Sequence, residues 1–295
     1  MVEDAQSRAG RSVLKLRIWL AKYPLAMAPA WAVLAGALAA GRLHWRREDG
    51  LQLLGALLLA DGLWGQLWAL LVPEEGSVAP ETALPGGVAA PVPYSSPQSP
   101  LSRFWRWLTF PGGSREGVSP VEVWRAAVLA LLATVALAWL LGPIAMAMTA
   151  LSLLSAILVR FLSATGLLRA LVQAISEIGL PWLLALRLFG EGGWHAGPLA
   201  VASGFVLVQA GAQVLPARSG RWLITLGQLA PLVWLLTADK PLMAGALAIV
   251  LLAPLAAQPW LVLDDEKESY SRSFHRLAGP WWLAGMLLAG WAAGY

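Results

Sequence analysis

The feature that most constrains this chain is the recurrence of apolar segments of about 20 residues, most of them bounded by proline, glycine or a charged turn. Inside hydrocarbon no water is present to satisfy backbone N–H and C=O groups. Each such segment must therefore close its own hydrogen bonds, which a helix does within itself. Only 13% of the 295 residues are charged and 58% are hydrophobic, with mean hydropathy +0.64; soluble domains carry about 25% charged residues. The pattern predicts an all-α polytopic membrane protein, with residues 1–295 as a single transmembrane domain. Cysteine is absent, so disulfides, thiolate catalysis and thiolate metal sites are excluded. The formal charge of +4 accompanies no long basic run or nucleic-acid motif, and it reads as loop arginine at a membrane surface.

Taken in order, a basic arm (Arg8, Arg11, Lys15, Arg17, Lys22) leads into a first span at about 19–40. The arm and first span together lack signal-peptide character. A second span follows at about 50–72 and stops at Pro73. Residues 73–110 are a Pro-rich cytoplasmic loop, within which Leu101, Phe104, Trp105 and Leu108 fall at helical spacing and predict an interfacial amphipathic helix. Further spans are expected at about 121–141, 144–162, 167–189, 199–215, 222–238, 241–261 and 277–294, with Ser119-Pro120 and Gly142-Pro143 as punctuation. The charged segment Asp264–Arg276 reads as the connection before the last span. With nine spans, most of the Lys and Arg residues fall on the side of the N-terminus. The positive-inside rule then places the N-terminus in the cytoplasm and the C-terminus on the opposite side, as in a bacterial cytoplasmic membrane.

Two acids fall inside these spans. Asp61, in Ala60-Asp61-Gly62-Leu63-Trp64-Gly65-Gln66-Leu67-Trp68, is spaced three and then four residues from two tryptophans, so on an α-helix all three share a face. A carboxylate at that depth costs about 2.5–3.5 kcal/mol on insertion scales, which makes it a functional candidate by default. It is a remnant ligand, a hydrogen-bonded structural acid or a protonated group facing a cavity. Trp64 and Trp68 either pack or stack on a flat ring of a bound lipid, quinone or pigment. Glu177 is the second acid, and an arginine such as Arg169 is its expected partner. His44, His195 and His275 have no ligand spacing, and no Ser-His-Asp set, phosphate loop or zinc spacing is present.

In several stretches the chain resembles the UbiA superfamily of membrane-embedded prenyltransferases. Asp61 stands at the first Asp of that family's Asn-Asp-x-x-Asp-x-x-x-Asp motif, with Ala60 at the Asn and Trp64 and Trp68 at the other two acids. Lys22-Tyr23-Pro24 is similar to the lead into the family's first helix, and Pro111 to Glu122 to the segment before its third. Ser219 to Gly227 is similar to the stretch after its second Asp motif, and Tyr270 to Leu277 to the lead into its last helix. The resemblance implies nine helices around a central cavity. In active members two acidic motifs there hold Mg²⁺, which grips a prenyl diphosphate. At the second motif this chain has Gln209 and Gln213, with no carboxylate between Glu191 and Asp239. Diphosphate departure needs metal ions on its oxygens, and Mg²⁺ needs hard oxygen ligands in octahedral array.

The expectation is therefore a UbiA-like membrane protein without Mg²⁺-dependent prenyl transfer. It would bind an isoprenoid, quinone or pigment-like lipid, or serve as a subunit of a membrane complex. Asp61, Trp64, Trp68, Gln209, Gln213, Arg115, Arg218 and Arg221 are the candidate ligand-binding residues. No metal site is expected. The alternative is an active, divergent prenyltransferase moving an allylic group to an aromatic or lipid acceptor, with Mg²⁺ as cofactor. A transporter is less favoured, because neither an internal repeat nor a pair of broken helices is evident.

Overall fold

The computed structural model describes residues 29–41, 47–71, 120–162, 166–190, 195–215, 217–258 and 267–295. Among them the chain is all-helical, in nine helices. We label them α1 (Pro29–Ala39), α2 (Arg47–Leu57, a π-helical segment Leu58–Trp64, then Gly65–Leu71), α3 (Pro120–Leu141) and α4 (Pro143–Phe161). Then come α5 (Leu167–Ala174, a π-helical segment Ile175–Gly179, then Leu180–Phe189), α6 (Ala196–Gln213), α7 (Arg218–Thr237), α8 (Pro241–Ala257) and α9 (Lys267–Gly294). The Pro-rich loop, its interfacial helix and the Lys22-Tyr23-Pro24 lead lie outside the described residues.

Local chemistry fixes most of the boundaries. Proline opens α3, α4 and α8, where its missing N–H is one of the donors a helix start leaves unpaired anyway. Gly142 joins α3 to α4 at φ 103°, a backbone state closed to other residues without strain. In one respect the expectation fails. The segment read as a charged connection is helical from Lys267, so α9 begins well before residue 277. Its first turns are polar, and apolar periodicity carries no signal there.

The core is divided into two clusters that share α1 and α5. Ala32, Ala35 and Ala39 of α1 pack with residues of α5, α6, α7, α8 and α9. Val33 and Ala37, on another face of the same helix, pack with α2, α3, α4 and the second half of α5. Helix α1 is thus enclosed, and small residues let its neighbours approach it. A methyl group on Gly290 of α9 would stand 2.5 Å from the carbonyl oxygen of Ala35. Helices α6 and α7 also come close through glycine. A methyl on Gly211 would stand 2.6 Å from the Gly220 oxygen, and one on Gly204 2.7 Å from the Gly227 oxygen. Pro231 contributes, because it cannot donate to Gly227 four residues earlier. That carbonyl lies against Gly204 instead.

Large apolar side chains cover much of the outside: Trp139, Leu140, Phe161, Leu242 and Ile249 are all strongly exposed. By length and composition one helix among the described residues, Leu167–Phe189, is long and apolar enough to cross a bilayer; Pro29–Ala39, Val128–Leu141, Pro143–Val159 and Pro241–Ala257 are shorter apolar helices.

The α6–α7 contact makes a prediction. Gly211→Val drives side-chain carbon into the Gly220 carbonyl and Ile224, and should cost about 1–3 kcal/mol or more. Gly245→Ala, where nothing lies within 4 Å, should leave stability unchanged or raise it by about 0.5–1 kcal/mol. Equilibrium unfolding of the two variants beside the parent chain measures the contrast.

Candidate functional site

Both acids of the apolar spans sit on π-helical segments, Asp61 in Leu58–Trp64 and Glu177 in Ile175–Gly179. A π-turn bonds i to i+5 and so adds a residue to the turn; such bulges recur at functional sites. At Glu177 the cause is visible. Pro181 cannot donate to the carbonyl of residue 177, and an ordinary helix would press its ring into that carbonyl. The wider turn relieves the clash.

At Asp61 the π-turn corrects the sequence expectation of a shared face. With the extra residue in the turn, a three-residue offset no longer stacks Asp61 over Trp64. Trp64 is 1% exposed and its indole N–H donates to Thr149 Oγ1 of α4 at 3.1 Å. Trp68 is 4% exposed and donates to Ser152 Oγ at 3.3 Å. The tryptophan pair is therefore packed between helices with its polar atoms bonded. Asp61 behaves differently. Its carboxylate accepts a hydrogen bond from the backbone N–H of Ala30, the second residue of α1. By accessible area Asp61 is exposed, unlike the tryptophans beyond it. A carboxylate at a helix start also meets the positive end of the helix dipole.

Glu177 is fully buried, and its partners are glutamines rather than the expected arginine. Gln173 Nε2 donates to Oε1 at 2.8 Å from one turn earlier on α5. From α6, Gln209 Nε2 donates to Oε2 at 2.7 Å and Gln213 Nε2 at 3.1 Å. The two positions that the resemblance aligns with the second acidic motif thus converge on an acid from another helix. Carboxylate oxygens accept, so the three amide N–H groups give the buried group partners on both of its oxygens. Close approach holds the arrangement together: a methyl on Gly179 would stand 3.3 Å from Val206 of α6.

Of the predicted cations, the described Arg218 and Arg221 do not join this cluster. Gly211 faces α7, and Gln209 and Gln213 lie roughly halfway around α6 from it at 100° per residue. Arg218 and Arg221 belong to α7, so helix geometry sets them across α6 from Glu177. Arg218 is exposed, whereas Arg221 is partly buried. Arg115 lies outside the described residues. Sequence reasoning missed Gln173 and the central place of Glu177. The available signal was a pair of i, i+4 polar couples, Gln173/Glu177 and Gln209/Gln213, on otherwise apolar helices. It also missed Gln228 of α7, which is fully buried and, among the described residues, has no hydrogen bond to either amide atom.

The donor set does not fit a Mg²⁺ clamp. Mg²⁺ seeks carboxylates and waters in octahedral geometry. Here one carboxylate is tied to a backbone amide, the other is ringed by amide N–H groups, and the remaining motif positions are indoles. No family model, no curated protein and no solved structure matches the chain.

Gln209→Leu removes the shortest of the three donors to a fully buried acceptor and should destabilise the fold by about 1–3 kcal/mol. Trp68→Phe removes one N–H donor to Ser152 and should cost about 0.5–1.5 kcal/mol. Denaturant unfolding followed by far-UV circular dichroism ranks the two; a cost for Gln209→Leu below that of Trp68→Phe would contradict the dependence of Glu177 on its amide donors.

Proposed function

We propose that the nine helices span a membrane, with the N-terminus on the cytoplasmic side. The protein binds an isoprenoid, quinone or pigment-like lipid, or serves as a subunit of a membrane complex, on a UbiA-like scaffold without Mg²⁺-dependent prenyl transfer. One observation carries this reading. At the positions where the resemblance requires metal-binding acids, the side chains are engaged inside the fold: Trp64 and Trp68 with α4, Gln209 and Gln213 with Glu177. The exposed apolar exterior supports embedding in lipid, where an outward Trp139 or Leu242 meets acyl chains instead of water.

The accessibility of Asp61 favours a second reading, an active divergent transferase. One open carboxylate on an apolar helix is a foothold for a cationic or metal-bound group.

Incubation of the purified protein with allylic diphosphates and aromatic acceptors, with and without Mg²⁺, separates the two. The first reading expects no Mg²⁺-dependent product, and mass spectrometry of gently solubilised protein should then recover one stoichiometric isoprenoid, quinone or pigment. Metal-dependent product that disappears in Asp61→Asn would establish the second. Recovery of bulk phospholipid alone would leave only the role as a complex subunit.

A further inference from the structure

We propose that the cavity between the α7–α8 turn and the end of α9 holds the headgroup of one phosphatidylethanolamine molecule, with Asp239 on its ammonium and Lys240 on its phosphate. The argument begins with Asp239. Among the described residues it is the one non-glycine residue at positive φ, 57°. It stands just past the end of α7, where glycine is the usual residue, and the chain there closes back through the Lys240 N–H to the Leu235 carbonyl at 2.9 Å. A carboxylate at this end of a helix also meets the negative pole of the helix dipole. The fold gives it nothing in return: the side chain is exposed, and among the described residues it makes no hydrogen bond or ion pair. Backbone strain without an internal benefit points to a ligand.

The second line is the cavity itself. It measures about 290 Å³, and Asp239, Lys240, Leu242, Trp291 and Tyr295 line it. Lys240 Nζ donates to the Ala292 carbonyl at 2.8 Å and stands 5.7 Å from the centre of the Trp234 ring. The ammonium is thus held in place with N–H groups left for an anion. Trp291 and Tyr295, ring centres 5.7 Å apart and inclined at 52°, bring two aromatic rings to the wall, and a ring face attracts a cation. Opposite charges on adjacent residues match a zwitterion whose phosphate and ammonium are joined by an ethylene link. A primary ammonium donates hydrogen bonds to a carboxylate and the quaternary ammonium of a choline lipid cannot, which selects ethanolamine. The third line is what lies beside the cavity. Leu242 on its rim is strongly exposed, and the same outward face of α8 continues through Gly245, where an added methyl meets nothing within 4 Å, to the exposed Ile249. This open apolar track suits an acyl chain and commits the site to a lipid rather than a soluble phosphoamine. The site rests on the proposal that the helices span a membrane, which sets the α7–α8 turn and the end of α9 at the surface opposite the cytoplasm.

The test uses the full chain in detergent, with thermal unfolding followed by tryptophan fluorescence and retained lipid counted by native mass spectrometry. Phosphatidylethanolamine, phosphatidylcholine and phosphatidylglycerol with the same acyl chains are added at equal mole fraction. The expected result is a saturable rise in midpoint and about one retained lipid per chain, largest for the ethanolamine lipid, by mass action on the folded state. Asp239→Gly suits the left-handed backbone, so it should fold and gain midpoint in detergent alone. Its affinity for the ethanolamine lipid should nonetheless fall by about tenfold, the loss of one hydrogen bond between charged groups. Equal midpoints with the three lipids would overturn the proposal, and so would an undiminished preference in Asp239→Gly. Alkaline carbonate extraction of native membranes keeps the two proposals apart. A chain retained in the membrane but without the lipid preference loses only this site, whereas a chain released by carbonate overturns the spanning reading and this site with it.

Discussion

Two interactions decide which of these helices become neighbours: close approach through small residues, and hydrogen bonds between the few polar side chains they carry. Both operate here. Glycines 204 and 211 of α6 meet glycines 227 and 220 of α7, while Glu177 of α5 draws Gln209 and Gln213 to the opposite face of α6. Helix α6 is thus fixed on two sides by two different kinds of force. Helix α1, short and rich in alanine, fills the seam between the two halves of the core, where Ala32, Ala35, Gly36, Ala37 and Ala39 let its neighbours come close.

The two acids show how a local backbone change redirects a side chain. Both lie on π-helical segments, and in both cases the wider turn decides what the carboxylate meets. Asp61 turns away from the tryptophans that periodicity put beside it and reaches the start of α1. Glu177 points at α6, one turn before a proline that an unbroken α-helix would not accommodate there. A tryptophan pair that the sequence leaves open between packing and ligand stacking is, in the fold, an interhelical clasp to Thr149 and Ser152.

Functionally the contrast is between acids that converge and acids kept apart. A metal-diphosphate site needs several carboxylates facing one space. Each carboxylate here has its own surroundings, one a helix start and one a ring of amides. Among the described residues the two acids do not share a site, and this separation sets the arrangement apart from a metal-diphosphate clamp.

Apolar run length and Pro/Gly punctuation already determine the helices as elements. The expected segment 167–189 coincides with Leu167–Phe189, and 121–141 differs from Pro120–Leu141 by one residue. Those signals act over a few residues and need no partner. The onset of α9 at Lys267 escaped because its first turns carry no apolar period. What only the tertiary structure decided is direction and partnership. The extra residue of a π-turn rotates every side chain after it, and the amides that meet Glu177 from α6 stand 32 and 36 positions away along the chain. Spacing within one helix cannot encode a contact that exists only when two helices are brought together.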